Sequence, residues 1–377
     1  MFLDKISRLR DDNLVRIIND RQSPQGARIR FRDREYLNFS SNDYLGFANH
    51  PLIVARARQA LEEFGFGAGA SRLLGGGSRL HNKIEKRVAG FKKTDSALVF
   101  NSGYAANTGI IPAIADDATA LFSDELNHAS IIDGCRLSQS RTHVYRHKDM
   151  SHLEDLLRQN NTIRKIIITD SIFSMEGDIA PVRDLCNLCK AYDALLYLDD
   201  AHATGVIGEG RGVLAHFRIE PEPWIFQMGT FSKALGSFGA FLAGSADVIE
   251  WVRNSARSFM FSTALPACVI AASGAALELV ENTPGMLDKL WENRQKAADG
   301  IRGIGYDIMG SETPIIPVAT GTIENTMRIS GHLFAKGIYA AAIRPPTVKQ
   351  PRIRISVTAA HTDEDIGRLI DTLKEAA

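Results

Sequence analysis

The 377-residue chain is 45% apolar and 23% charged, which excludes disordered and collagen-like classes and calls for more than one core. Lys plus Arg and Asp plus Glu balance at 44 each; without a basic excess or stripe, a small-molecule substrate is expected rather than nucleic acid. Cys135, Cys186, Cys189 and Cys268 form no disulfide framework, the charged opening MFLDKISRLRDD is no secretory signal, and no run reaches 18 apolar residues, so a cytoplasmic location is expected.

Up to about residue 22 the pattern predicts a polar amphipathic helix with Ile6, Leu9, Leu14, Ile17 and Ile18 as its stripe. ARIRF and EYLNFS predict two short strands, followed by the turn-rich SSNDYLG, and residues 1–47 are taken as an N-terminal segment. From 48 to 283 helical stretches alternate with short apolar runs: ALVF, ATALF, KIIITD, LLYLDD, WIFQMG and GAFLAG. Such alternation predicts a large α/β domain with a mostly parallel sheet covered on both faces. Pro284–Gly285 marks the next boundary. Residues 284–377 then predict a small α+β domain: a helix over 286–303, a strand at PIIPVA, a helix over 324–336, strands near IYAAAI and RIRISV, and a last helix from Asp363.

Four features lie at strand ends or in the loops after them, where α/β sheets place their sites. NSGYAAN follows ALVF and opens a helix, so the amides of Gly103 and Tyr104 suit a phosphate, although a plain strand-to-helix turn has the same pattern. In LLYLDDAHATG, Asp199 ends an apolar strand and His202 follows; the pair reads either as a capped turn or as a carboxylate facing a heterocyclic cation. In QMGTFSKALGSFG, Lys233 stands among small and hydroxyl residues with Thr230, as an inward amine beside a phosphate would. In AIRPPTVKQPRIRIS, two prolines stiffen Arg344, which suits a carboxylate clamp as well as a surface arginine. One cofactor unites them: pyridoxal phosphate (PLP) needs a lysine, an acid at its ring nitrogen and donors for its phosphate. Cys186 and Cys189 form a lone CxxC inside a helical stretch, and His143 and His147 lack a carboxylate pattern, so no metal site is expected.

LNFSSNDYLG, GFGAGASRLLGGGSRLHNKIE, FNSGYAAN, LNHASIIDGCRLS, SIFSMEGD, DDAHATGVIG, GTFSKALGS and SFMFSTALP stand in the order found in the α-oxoamine synthases. The chain resembles that family from about residue 35 to 376. The resemblance implies the PLP-dependent transferase fold of type I, with a mostly parallel seven-stranded sheet and a small α+β terminal domain. It implies a C-acyl transfer with decarboxylation between an amino acid and an acyl thioester. Lys233 is then the Schiff-base lysine, Asp199 the partner of the ring nitrogen, His202 the contact to the ring hydroxyl and His128 the imidazole stacked on the ring. Gly103, Tyr104 and Thr230 cradle the phosphate, and Ser174 lies beside the cofactor. Asn42 and Arg344 hold the substrate carboxylate. The family's dimeric habit implies a homodimer with shared sites, where Ser262 and Thr263 serve the neighbour's phosphate. AIRPPTV, GCRLS and SSNDYLGFA are most similar to the biotin-pathway branch, which implies L-alanine and a pimeloyl thioester, on CoA or acyl carrier protein, with Thr347 and Arg16 at the substrate. Glycine with acetyl-CoA is the sister alternative, and a catalytically silent scaffold the alternative from another class.

Overall fold

In the computed structural model, which describes residues 2–377, the strands in chain order are β1 (Arg28–Phe31), β2 (Arg34–Asn38), β3 (Ser96–Phe100), β4 (Thr119–Asp124), β5 (Arg141–Tyr145), β6 (Arg164–Asp170), β7 (Ala194–Asp199), β8 (Ile225–Thr230), β9 (Ala240–Gly244), β10 (Ile315–Ala319), β11 (Ile338–Tyr339), β12 (Ala341–Ile343) and β13 (Arg352–Ser356). The chain divides into two compact units. One comprises residues 50–173 and 179–287, the other residues 1–49, 174–178 and 288–377.

The larger unit is built on a seven-stranded sheet of order β3-β9-β8-β7-β6-β4-β5. β5, β4, β6, β7 and β8 are parallel, and only β9 runs against its neighbours. Strands β4, β8 and β9 are buried along their whole length, as the unbroken apolar runs require of a sheet covered on both faces. Leu98, Ile110, Leu121, Ile166, Ile168, Phe226 and Leu242 meet in one core, and each such side chain contributes about 1.5–3 kcal/mol by leaving water. Six of the seven strands match predicted runs. The seventh, β5, is the edge strand RTHVY, whose mostly exposed residues carry no apolar signature.

In the smaller unit, β1 and β2 form a hairpin whose two turn residues, Arg32 and Asp33, have φ of 47° and 63°, the left-handed pair that a two-residue turn requires. β2 then pairs in parallel with β11, with Leu37 opposite Ile338, and Leu37 and Phe39 share a core with Ile316, Ile353, Leu333 and Leu369. The expected separate segment 1–47 is therefore part of the C-terminal fold, because its apolar strand residues are buried only there. The boundary also falls at 287, inside the helix Pro284–Gly303, and not at 283. The first helix, Phe2–Asp11, stops well short of residue 22.

Residues 174–178 belong to the smaller unit through a dense set of bonds. Arg352 donates to the Met175 carbonyl at 3.0 Å and pairs with Glu176 at 3.1 Å. The Thr313 hydroxyl donates to the Gly177 carbonyl at 2.9 Å. Gly177 has φ +71°, and a Cβ there would lie 2.1 Å from the Ile315 oxygen, so only glycine fits.

Candidate active site

Asp170, Asp199 and Thr230 are the last residues of β6, β7 and β8, so the carboxyl edge of the parallel sheet carries the polar groups, as in open α/β sheets generally. Asp170 and Asp199 are paired in register and project to the same face. The Asp199 carboxylate is buried and accepts from Asn107 Nδ2 at 2.8 Å and from the Ala201 amide at 2.9 Å. Asn107 is held in turn: its Nδ2 also donates to Ser130 Oγ at 2.8 Å, and its oxygen accepts from Tyr197 OH at 2.7 Å. Burial pushes the Asp199 carboxyl up, against the pull of the nearby Lys233 ammonium and the bonds from Asn107 and Ala201. Asp170 is raised well above the carboxylate range by burial and by the Asp199 charge. Two buried carboxyls with a single lysine charge near them leave room for one more cation.

His128 caps the helix Ala129–Leu137, its Nδ1 accepting from the Ser130 amide at 3.3 Å with Ser130 Oγ at 2.8 Å. Its own amide donates to Asp170 Oδ2 at 2.6 Å, which fixes the backbone from which the imidazole projects. Burial lowers its pKa, the Asp199 charge opposes and Lys233 reinforces, so the ring is neutral and suited to stacking. Tyr104 meets it edge-on with centroids 6.5 Å apart, and the Tyr104 hydroxyl is bonded to Asp133. His202 is buried in the turn that follows Asp199.

The helix Gly103–Ile114 is capped by Ser102, whose Oγ accepts from the Ala105 amide at 3.1 Å. That leaves the amides of Gly103 and Tyr104 at a helix N-terminus without intrahelical acceptors, a place for a phosphate. Thr230 Oγ1 lies 2.8 Å from the Gly239 carbonyl and 2.7 Å from Ser232 Oγ, adding Ser232 to the expected hydroxyls. Lys233 follows directly and is half-buried. Ser262 and Thr263 lie apart from these groups in the chain, tied to the glycine-rich loop through a bridge of Thr263 to Ser71, while Asn101 Nδ2 donates to the Thr263 carbonyl at 2.8 Å.

In the smaller unit the expected substrate residues fall into two groups. Asn42 Oδ1 accepts from Arg354 Nη2 at 3.0 Å, and Arg354 also donates to the Ser174 carbonyl and to Ser356 Oγ, both at 2.6 Å. Arg344 does not join them. Its guanidinium donates to the Asn13 and Val15 carbonyls at 2.7 and 2.8 Å, and Arg16 stands beside Thr347 at 3.2 Å. Arg354 and Asn107 were not singled out in the sequence. Arg354 sits in RIRIS, where strand alternation gives an inward arginine no mark of its own. Asn107 sits mid-helix, where nothing nearby in sequence points to β7.

The chain belongs to the aminotransferase class I and II family, whose model matches residues 34–373. Within the family it is 45% identical to 8-amino-7-oxononanoate synthase from Geobacter sulfurreducens, over 97% of this chain and 95% of that protein. It is 43% identical to the synthase of the same name from Thermoanaerobacter pseudethanolicus, over 96% and 93%. Among solved structures, serine palmitoyltransferase from S. paucimobilis with bound PLP–myriocin aldimine superposes with a TM-score of 0.94 at 27% identity, covering 100% of this chain and 96% of that one. An 8-amino-7-oxononanoate synthase from Francisella tularensis gives 0.80 at 25%, over 90% and 97%. The cofactor is PLP and the enzyme a PLP-dependent acyltransferase. The residues fit it: the buried Asp199, oriented by Asn107 and the Ala201 amide, suits a protonated ring nitrogen, and the amides of Gly103 and Tyr104 suit its phosphate.

Proposed function

We propose that the chain condenses L-alanine with a pimeloyl thioester, on CoA or acyl carrier protein, to give 8-amino-7-oxononanoate, the thiol and carbon dioxide. What carries the reading is the buried Asp199 carboxylate, backed by Asn107 and near Lys233, in a chain so similar to synthases of that name. When bound, PLP supplies an electron sink for each bond broken at the amino acid's Cα. Lys233 holds the cofactor and then takes the Cα proton of alanine. Asp199 would hold the proton on the ring nitrogen, His202 would donate to the ring hydroxyl oxygen, and His128 would stack against the ring. Gly103, Tyr104, Thr230 and Ser232 hold the phosphate.

Arg354, whose Nη2 meets the Asn42 side-chain oxygen, takes the alanine carboxylate together with Asn42; Arg344, expected there as well, is bonded to the Asn13 and Val15 carbonyls. Alanine Cα forms a bond to the thioester carbonyl as the C–S bond breaks; the alanine carboxylate then leaves as carbon dioxide and Lys233 returns a proton to Cα. Arg16 and Thr347 line the acyl chain.

The enzyme acts as a homodimer. Phe66, Leu73, Leu74 and Phe261 are exposed around the Ser71–Thr263 bridge of the larger unit, and a second copy would cover them, bringing Ser262 and Thr263 to its phosphate. No helix among the described residues is long and apolar enough to cross a membrane, and all four cysteines are free thiols, which supports the cytoplasm as its place.

Thiol release by purified protein, with L-alanine or glycine crossed with pimeloyl-CoA or acetyl-CoA, tests the reaction. Preference for alanine with pimeloyl-CoA is expected; preference for glycine with acetyl-CoA would replace it with 2-amino-3-ketobutyrate synthesis. Lys233→Ala abolishes turnover, and a colourless protein that takes up no PLP would point to a silent scaffold.

A further inference from the structure

Asp199 and Asp200 stand side by side at the end of β7, and their side chains go to opposite faces of the sheet. Asp199 meets Asn107 of the helix Gly103–Ile114, on the face where Leu98, Met228 and Leu242 form a core. Asp200 meets Lys92, the last residue of the helix Arg79–Lys92, whose Nζ stands 5.8 Å from the centroid of the Phe241 ring. Phe241 alternates along β9 with Ala240 and Leu242 of that core, so it points the other way.

The ammonium gives the Asp200 carboxylate its one short bond among the described residues. Nζ lies 2.7 Å from Oδ2, with both side chains at 0% exposure. The Val213 amide is 3.4 Å from the same oxygen, and Oδ1 is buried without a hydrogen-bond partner. Lys92 Nζ also donates to the Arg211 carbonyl at 2.7 Å, which brings the loop beyond the turn to the same point. Gly212 makes room for the pair: its φ is +105°, and a Cβ there would lie 2.1 Å from Asp200 Oδ2 and 2.7 Å from Lys92 Nζ.

The backbone of Asp200 carries the turn that follows. Its amide donates to the Met228 carbonyl of β8 at 2.7 Å, and its carbonyl accepts from the amides of Ala203 and Thr204 at 3.0 and 2.8 Å. His202 lies inside that turn, and the Ala201 amide donates to the Asp199 carboxylate at 2.9 Å. Any shift of Asp200 therefore reaches both Asp199 and His202. A buried ion pair stabilises a fold no more than well-packed apolar residues of similar volume, so stability alone does not account for charges at this point.

We propose that Lys92 is a positioning residue for the cofactor: acting through Asp200 from the face of the sheet away from Asp199, it holds the turn of residues 199–204 and so sets how Asp199 and His202 meet the ring. The hold on the turn rests on the geometry above; its effect on the ring rests on the roles proposed for Asp199 and His202.

The test compares wild type with Lys92→Met, the double variant Lys92→Met/Asp200→Asn and His202→Asn, each as the whole chain. Three quantities are read: the PLP affinity of the apoprotein, the pH at which the absorbance of the bound cofactor titrates, and hydrogen exchange of residues 201–204. Residues 166–168 of β6 serve as the internal standard for exchange. In Lys92→Met, PLP affinity falls about tenfold or more. The cofactor titration moves by about half a pH unit or more, in the same direction as in His202→Asn, and exchange at 201–204 speeds up relative to β6. The double variant removes the stranded charge, so β6 exchanges as in wild type while the cofactor titration and the exchange at 201–204 stay displaced. A pair that served stability alone would not give that separation. If the double variant returns titration and 201–204 exchange to wild-type values together with β6, the proposal is overturned. If His202→Asn leaves the cofactor titration at the wild-type value, the role proposed for His202 falls and exchange decides the hold on the turn. Faster exchange at 201–204 in the double variant then keeps it, and wild-type rates overturn it.

Discussion

Asn107 Nδ2 donates to Asp199 Oδ2 at 2.8 Å while Tyr197 OH donates to Asn107 Oδ1 at 2.7 Å. The tyrosine thereby fixes which end of the amide faces the carboxylate; a flipped amide would set two oxygens against each other. Asn107→Leu removes a bond to a charged group and leaves the Tyr197 hydroxyl without its acceptor. The expected cost is about 1.5–3 kcal/mol, or about 10- to 150-fold in PLP affinity. Titrating the apoprotein with PLP measures it, and wild-type affinity in the variant would show that Asp199 needs no such support.

Much of this site is legible in sequence because its residues end apolar runs. Asp199 and Thr230 end strands buried enough to be seen, Lys233 follows the second of them, and Gly103 opens the helix after another. Asn107 is not legible, since its partner lies 92 residues away and a mid-helix asparagine carries no local signal. The fold shows the same division. Strands β6 to β9 read directly from their apolar runs, whereas the edge strand β5 and the union of residues 1–49 with 288–377 depend on pairings between distant segments. Arg344 drew attention through its prolines, a local feature, while Arg354 is distinguished only by meeting Asn42.

Arg354 offers the next prediction. Its Nε, Nη1 and Nη2 each have a partner in a fixed fork, a geometry a lysine ammonium cannot reproduce. Arg354→Lys raises the KM for L-alanine by about tenfold or more while the PLP content stays at wild-type level. Equal alanine KM in variant and wild type would remove Arg354 from the substrate.

Directly after Asp199, Asp200 forms a fully buried ion pair with Lys92: Nζ lies 2.7 Å from Oδ2, with both side chains at 0% exposure. Lys92 Nζ also donates to the Arg211 carbonyl at 2.7 Å. Breaking such a pair from one side strands a buried charge, which costs about 3–5 kcal/mol. Lys92→Met is therefore expected to lower the free energy of urea unfolding by that order. Adding Asp200→Asn recovers a substantial part of the loss, because the stranded charge is gone. A double variant no more stable than Lys92→Met would mean that packing, not charge, accounts for the loss.

His361 makes stability depend on pH with a definite sign. It is buried and stacked on Phe39 with centroids 4.1 Å apart; Nδ1 accepts from the Thr358 amide at 3.0 Å, and Nε2 faces the Asn38 carbonyl at 3.2 Å. Burial lowers its pKa from 6.5 to about 4; the Asp365 charge and the Asn38 carbonyl oppose this, and Arg28 adds to it. Between those values the unfolded chain binds a proton that the folded chain refuses. Stability is thus fully present above about pH 6.5 and falls as pH drops toward 4, by up to about 1.4 kcal/mol per pH unit for one group. His81 is likewise lowered to about 4, chiefly by burial, and acts in the same direction. Asp43, raised to about 6 by burial, acts the opposite way, because its folded form takes up the proton first. Comparing wild type with His361→Gln cancels both of those groups. Unfolding free energies from urea titrations between pH 4 and 8 should fall less steeply for the variant below pH 6.5; parallel curves over that window would show that His361 titrates alike in the folded and unfolded chains.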